Sequence, residues 1–265
     1  MPSTQDSAMP HDPAGSDFWE LLRGSTQARI GLGRTGDALP TTDVLALRAA
    51  HAAARDAVHL PLDVATFTGQ IAAVGLGTPV TVASRAADRA EYLRRPDLGR
   101  LPADLTPVTG TGADIGFVLA DGLSPLALTE HAPGLLAALA TELGQRHTLA
   151  PPVIATQARV ALGDHIAEAM GVRTVLVLIG ERPGLSVADS LGIYLTHLPR
   201  PGRADAERNC ISNIHPPDGL TYADAAHVVA GLVAGARALG RSGVDLKDTS
   251  RALTGADTPI ITPSP

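Results

Sequence analysis

Thr174-Val175-Leu176-Val177-Leu178-Ile179-Gly180-Glu181-Arg182-Pro183-Gly184-Leu185 decides the fold. Its first six residues are apolar or β-branched without interruption. A short run of this kind reads as a strand covered on both faces, the usual condition of a parallel sheet. The run breaks at Gly180 into a Gly/Pro loop that carries a carboxylate and a guanidinium. In open α/β sheets, ligands bind outside the carboxyl ends of the strands, so Glu181 stands where a ligand contact is expected.

Outward from this strand the pattern repeats. Upstream, residues 115–120 (Ile-Gly-Phe-Val-Leu-Ala) form a strand that ends at Asp121-Gly122-Leu123-Ser124-Pro125. Ser124 is an N-cap and Pro125 a first helical residue. The helix is expected to break and restart at Pro133, then run to about Arg146. Residues 152–155 form the next strand, and Thr156-Gln157-Ala158-Arg159-Val160-Ala161-Leu162 leads away from it. A short helix over 164–170 stops at Gly171. Strand, helix, strand, helix, strand is a doubly wound, mostly parallel α/β pattern. Downstream, Leu191-Gly192-Ile193-Tyr194-Leu195 is strand-like, and residues 203–214 read as a polar stretch. Thr221-Tyr222-Ala223-Asp224 fits a capping box for a last helix. Its apolar face is Val228, Val229, Leu232, Val233, Ala236 and Leu239, and Gly240 ends it.

The N-terminal part is less regular. Residues 1–16 are polar, contain proline and show neither a helical stripe nor a signal-peptide core, so they read as a disordered tail. Ser16 or Asp17 is expected to cap a short helix. Gly31-Leu32-Gly33-Arg34-Thr35-Gly36 matches G-x-G-x-x-G, but no strand precedes it and no helix opens on it. It reads as an ordered surface loop presenting Arg29 and Arg34 rather than a dinucleotide site. Val44, Leu47, His51, Ala54 and Val58 make a helical stripe with His51 as a packing residue. Residues 63–74 form another helix and 79–83 a short strand. Residues 94–100, with three arginines, form a polar turn. The domain plan is a tail over 1–16, a helical extension over 17–110, the α/β domain over 111–248 and a frayed tail over 249–265.

Composition narrows function. The chain has 265 residues and 45% apolar ones, enough for a large core, while aromatics at 3% leave that core to Ala, Val, Leu and Ile. A net charge of −6 argues against a nucleic-acid surface. Lys247 is the sole lysine, which removes the P-loop ATPases. A single cysteine, Cys210, removes an internal disulfide and a multi-cysteine zinc site. No apolar run approaches the ~18 residues of a membrane span. A His-Glu-x-x-His helix, a complete Gly-x-Ser-x-Gly elbow and an Asp-x-His-x-x-Gly cobalamin motif are all missing. Three positions remain. Asp121 either reaches a ligand or caps the following helix. Glu181 either contacts a ligand or pairs with Arg182 or another arginine. Cys210, taken alone, reads as an inert buried thiol.

Ala28-Arg29-Ile30-Gly31-Leu32-Gly33-Arg34, Asp121-Gly122-Leu123-Ser124, Arg159-Val160, Gly180-Glu181-Arg182-Pro183-Gly184-Leu185 and Cys210-Ile211-Ser212-Asn213-Ile214-His215 together resemble the small subunit of ethanolamine ammonia-lyase. The second-to-last and last of these are specific to that family, and the resemblance spans roughly residues 17–245. It implies a Rossmann-like partner to a β/α-barrel large subunit, with residues 17–110 as the contact region. It also implies adenosylcobalamin as cofactor and conversion of ethanolamine to acetaldehyde and ammonia. Val160, Glu181 and Cys210 then correspond to the family's cobalamin contacts, with no catalytic or metal-ligating residue in this chain. The implied setting is cytoplasmic, in some members inside a bacterial microcompartment, for which residues 1–16 lack the amphipathic segment. Two rival readings are a self-sufficient nucleotide-binding enzyme and a purely structural subunit.

Overall fold

The structure, a computed structural model, describes residues 13–248. The disordered tail expected over 1–16 lies outside the described residues up to residue 12. The frayed tail over 249–265 lies outside them altogether. In chain order the elements are α1 (Pro13–Arg23), α2 (Thr41–His59), α3 (Val64–Ala72), β1 (Val80–Ala83), α4 (Arg89–Arg94), β2 (Ile115–Ala120) and α5 (Pro125–Leu143). There follow β3 (Val153–Thr156), α6 (Leu162–Met170), β4 (Thr174–Gly180), β5 (Leu191–His197), β6 (Asn209–Ile214) and α7 (Tyr222–Leu239). Two compact units divide between Ala53 and Ala54, inside α2.

In the first unit α1 starts at Pro13, three residues before the expected cap, because proline is already set for a first helical turn. The loop carrying Gly31, Gly33 and Gly36 folds back on α1. Arg23 Nη1 donates to the Gly31 carbonyl at 2.8 Å. A Cβ on Gly31, whose φ is +59°, would lie 2.4 Å from the Trp19 ring. The G-x-G-x-x-G match is therefore a loop packed on a tryptophan, and Arg29 and Arg34 are exposed as expected. His51 is exposed, not a packing residue, and so is Leu47; on α2 only Ala57 is buried.

The second unit is built on one six-stranded sheet in the order β1-β3-β2-β4-β5-β6. The pairs β1/β3, β3/β2 and β2/β4 are parallel, whereas β4/β5 and β5/β6 are antiparallel. The sheet is mixed through β5 alone, the one strand that runs against the other five, so the mostly parallel pattern expected around β4 is kept. The expected polar stretch over 203–214 contains an edge strand, β6. It escapes a hydrophobic-pattern reading because only Ile211 and Ile214 point inward.

The uninterrupted apolar runs of β2 and β4 follow from two cores. Phe117 and Leu119 of β2 and Leu176 and Leu178 of β4 pack on one face, against α3, α5 and α7. Val118 and Ala120, with Val175, Val177 and Ile179, pack on the other against α6. Both faces are dry, so neither strand alternates. The chain leaves β2 for β3 through α5 and returns past β2 to β4 through α6. Helices consequently lie on both faces, and the carboxyl ends of β1, β2, β3 and β4 share one edge.

Helix α5 runs unbroken through Pro133, contrary to the expected restart. A proline inside a helix costs about 3 kcal/mol. Leu128, Leu135, Leu136 and Leu139 are fully buried around it, each contributing about 1.5–3 kcal/mol, so packing outweighs the defect. Helix α6 stops at Gly171, at φ +65°, and α7 is capped by Thr221, whose hydroxyl accepts from the Asp224 amide at 3.2 Å. Leu239, expected on the apolar face of α7, is exposed at its last turn. On the α6 side, Arg208 grips Asp164 through two bonds of 2.6 and 2.8 Å and donates to Thr196 at 2.8 Å. Both charged side chains are 1% exposed, so this pair fastens α6 to β5 and to the entry of β6.

Candidate functional site

The carboxyl edge of the parallel strands is assembled by close backbone contacts. A Cβ on Gly180 would lie 2.0 Å from the Ser124 carbonyl oxygen, and one on Gly122 would lie 2.3 Å from the Gly180 oxygen. The Leu123 amide donates to that Gly180 oxygen at 2.9 Å. The turns after β2 and β4 therefore touch with no side chain between them, which only glycine permits.

Asp121 neither caps α5 nor faces a cavity. Ser124 is the cap, accepting from the Ala127 amide at 3.2 Å. The Asp121 carboxylate is 1% exposed, accepts from the amides of Gln157 at 2.8 Å and Ala158 at 2.9 Å, and lies 3.6 Å from Arg89. Burial pushes its carboxyl up from the ordinary value, against those two amides and Arg89. These bonds hold Gln157 at φ +52° and so fix the loop that presents Arg159 and Val160.

Glu181 follows β4 directly. Its amide donates to the Ser190 carbonyl at 2.9 Å, and its Oε2 accepts from the Ser190 hydroxyl at 2.6 Å and more loosely from the Asn213 amide at 3.4 Å. No ion pair joins it to Arg182 or another arginine among the described residues, so the ion-pair alternative falls away. A Cβ on Gly192 would lie 2.8 Å from Glu181 Oε1. The missing side chain at 192 is what lets the carboxylate lie over β5.

Cys210 is exposed, which corrects its reading as a buried thiol. It pairs across the ladder with Tyr194. Both stand on the α6 side of the sheet, where Tyr194 is half-buried against the α6-side core and Cys210, on the edge strand, is exposed. Burial pushes the Tyr194 phenol up to about 12, with Cys210 and Glu181 adding to the shift. The thiol is also pushed up, chiefly by partial desolvation and further by the Glu181 charge, while the neighbouring Tyr194 hydroxyl pulls it down.

Two hollows meet here. One, of about 340 Å³, is lined by Leu123, Val160, Ile179, Glu181, Arg182 and Tyr194 among others. The second, of about 550 Å³, shares Arg159, Val160 and Tyr194 with it and extends to Arg100, His165 and Arg203. Val160 and Glu181 therefore line one cavity, and Cys210 joins them only through Tyr194. Tyr194 escapes a sequence reading because it sits in an apolar strand as though it were core. Gly192 two residues earlier is the available signal, a gap in a strand beside a carboxylate loop. Arg159 is visible in sequence only as the neighbour of Val160.

The floor of the first hollow is apolar and its rim carries a carboxylate, a phenol and two guanidinium groups. Such a surface suits a broad apolar ligand with amide or charged edges. It offers no nucleophile activated by a base, and no group of three or more His, Cys, Asp or Glu residues able to hold a metal occurs among the described residues. The family described as "Ethanolamine ammonia-lyase light chain (EutC)" matches residues 16–247.

The chain belongs to the ethanolamine ammonia-lyase small-subunit family.

A protein named "Ethanolamine ammonia-lyase small subunit" from Rhodococcus erythropolis is 68% identical over 246 residues, covering 93% of this chain and 96% of its own. Its namesake from Ralstonia nicotianae is 49% identical, with 88% of each chain covered. The one from Pseudomonas syringae pv. tomato is 46% identical, covering 95% of this chain and 88% of its own. Ethanolamine ammonia-lyase is a carbon–nitrogen lyase, and this chain is the small subunit of such an enzyme. Among the described residues no helix is long and apolar enough to cross a membrane.

Proposed function

We propose that this chain is the cobalamin-holding small subunit of an ethanolamine ammonia-lyase. With a barrel-type large subunit it converts ethanolamine to acetaldehyde and ammonia in the cytoplasm. The observation that carries this reading is the cavity shared by Val160 and Glu181 at the carboxyl edge of the sheet, with Tyr194 and Cys210 alongside. Its α/β unit is read as Rossmann-like and doubly wound, with the ligand edge at β2, where the chain turns from β3 on one side to β4 on the other.

The residues fit a corrin. Val160, Leu123 and Ile179 supply apolar contact, and the gap at Gly192 leaves Glu181 free to lie flat at the rim. Adenosylcobalamin, when bound, supplies the radical chemistry that breaks the carbon–nitrogen bond. This chain's residues bind and orient. Val160 covers apolar surface, Glu181 accepts from rim amides while Ser190 holds its other oxygen, and Tyr194 with Cys210 flanks the cavity on β5 and β6. No proton transfer is assigned to this chain, since its one carboxylate in the cavity is already held by a hydroxyl.

The test is a titration of adenosylcobalamin into the complex of this chain with its large subunit, with binding and ethanolamine turnover read at each concentration. Glu181→Gln should raise the dissociation constant about tenfold or more, since hydrogen bonds to a charged acceptor are worth about 1.5–3 kcal/mol. Turnover at saturation should stay within about an order of magnitude of the parent. Unchanged affinity with a collapsed saturated rate would make Glu181 catalytic and sink this assignment.

A further inference from the structure

The second hollow is larger than the first and has a different character. Its walls carry Arg100, Arg159, Arg203 and His165 against one acid, Asp205. Two of these charges are already answered. Arg203 is paired with Glu207, and Asp205 lies 3.5 Å from Arg208. Neither Arg159 nor Arg100 has a carboxylate within ion-pair distance among the described residues.

Arg159 is held in place without being neutralised. Its amide donates to the Gly99 carbonyl at 2.8 Å, and its guanidinium lies 4.3 Å from the centre of the Tyr92 ring. The Tyr92 hydroxyl in turn donates to the Ala158 carbonyl at 3.0 Å. A Cβ on Gly99 would lie 2.9 Å from both Arg159 Cγ and the Tyr92 ring, so glycine there opens the passage that the arginine stem occupies. Tyr92 has a second cation, Arg89, at 4.9 Å, and that one is matched by Asp121. A guanidinium stacked on an aromatic ring loses little freedom on binding and keeps its donors in a fixed fork suited to a phosphate. With Nε buried and unpaired, Arg159 has the form of an anion receptor lacking its anion.

The cofactor reading above supplies one anion. The rim of a corrin carries neutral amides, while the phosphodiester on the nucleotide arm is formally charged. Resting on that reading, we propose that the second hollow receives the nucleotide arm of the cobalamin. Arg159 binds its phosphodiester and Arg100 adds a second, solvent-side cation. Val160 and Tyr194, common to both hollows, form the ridge over which the arm passes from the corrin.

Adenosylcobinamide lacks the phosphodiester, ribose and benzimidazole and provides the contrast. Both ligands are titrated into the complex of this chain with its large subunit, and binding is read from the visible absorption of the corrin. Arg159→Met should weaken adenosylcobalamin about tenfold or more and leave adenosylcobinamide within about twofold. Arg100→Gln, at an exposed position, should weaken adenosylcobalamin about threefold and spare adenosylcobinamide. It decides the matter if the Arg159 variant does not assemble. Equal losses for both ligands, or no loss for either, overturn the proposal. If Glu181→Gln weakens both ligands while neither arginine variant tells them apart, the cofactor reading stands and the arm belongs elsewhere. If the parent complex binds neither ligand, both fall.

Discussion

At the scale of single residues, exposure and reactivity part company at Cys210. The residue is exposed, yet partial desolvation of its thiol and the charge of Glu181 favour the protonated form, against the opposite pull of Tyr194. The thiolate is the nucleophile, so accessibility alone does not make this cysteine reactive. Iodoacetamide at pH 7.5 should therefore alkylate Cys210 more slowly than free cysteine, with a rate still climbing at pH values where free cysteine has levelled off. Mass spectrometry of timed aliquots gives both rates. A rate above that of free cysteine would mean an activating base the structure does not contain. The same crowding explains why Cys210 misleads in sequence. A lone cysteine is most often a buried small hydrophobe, and only the strand pairing of residue 210 with Tyr194 puts it on an uncovered face.

Between elements, one join that acid should loosen is Asp114. It stands just before β2 and accepts from the Thr148 amide at 3.0 Å, the Thr148 hydroxyl at 2.9 Å and Arg237 of α7 at 2.9 Å. These donors hold its carboxyl down at about 2, below an unfolded value near 4, the backbone bond to Thr148 being the largest lowering cause. The carboxylate form is thus favoured by folding, and its stabilisation is complete above about pH 4 and lost as pH falls toward 2. Allowing for partial exposure, the contribution is about 1–2 kcal/mol. Asp114→Asn should lower stability by that amount at pH 7 in denaturant titrations, and the gap from the parent should close at about pH 2–3. A gap that persists there would assign the loss to packing. Elements with a single strong signal were legible beforehand. Ser124-Pro125 marks the start of α5 and Gly171 and Gly240 mark two helix ends, because capping chemistry is local. What competes with distant packing was not, namely the passage of α5 through Pro133 and the pairing of β6, since neither follows from neighbours in the chain.

For the molecule as a whole, the two compact units divide the labour of folding. Among the described residues, the second contains the six strands, both hydrophobic cores and both hollows. A chain truncated to start at residue 41, which keeps the whole of α2, should retain the far-ultraviolet dichroism of the sheet and one cooperative melting step. A broad, non-cooperative melt would mean that the first unit is needed to complete a core. The site was only partly legible for a reason of the same scale. Val160 and Glu181 are separated by a helix and a strand in the chain, and β2, with its glycine turn, brings them to one cavity. Sequence placed Glu181 at a strand end, while Val160 came from resemblance alone, since an apolar loop residue carries no chemical signature of its own.

The α6-side face of β5 and β6 imposes a rhythm on what this surface tolerates. A pleated strand shows alternate residues to alternate sides, so Tyr194 and Cys210 meet whatever docks there, while Ile193, Leu195 and Ile211 answer only to the core beneath. Inheritance at neighbouring positions is thereby uncoupled. One residue can drift with a ligand or partner while the next stays tied to packing. The rhythm slips once, at Asn213, whose φ of +64° puts two polar residues between the inward-facing Ile211 and Ile214. Beyond that slip the even positions change sides, and a substitution that would reshape the recognised surface at 210 would instead strike the core at 214.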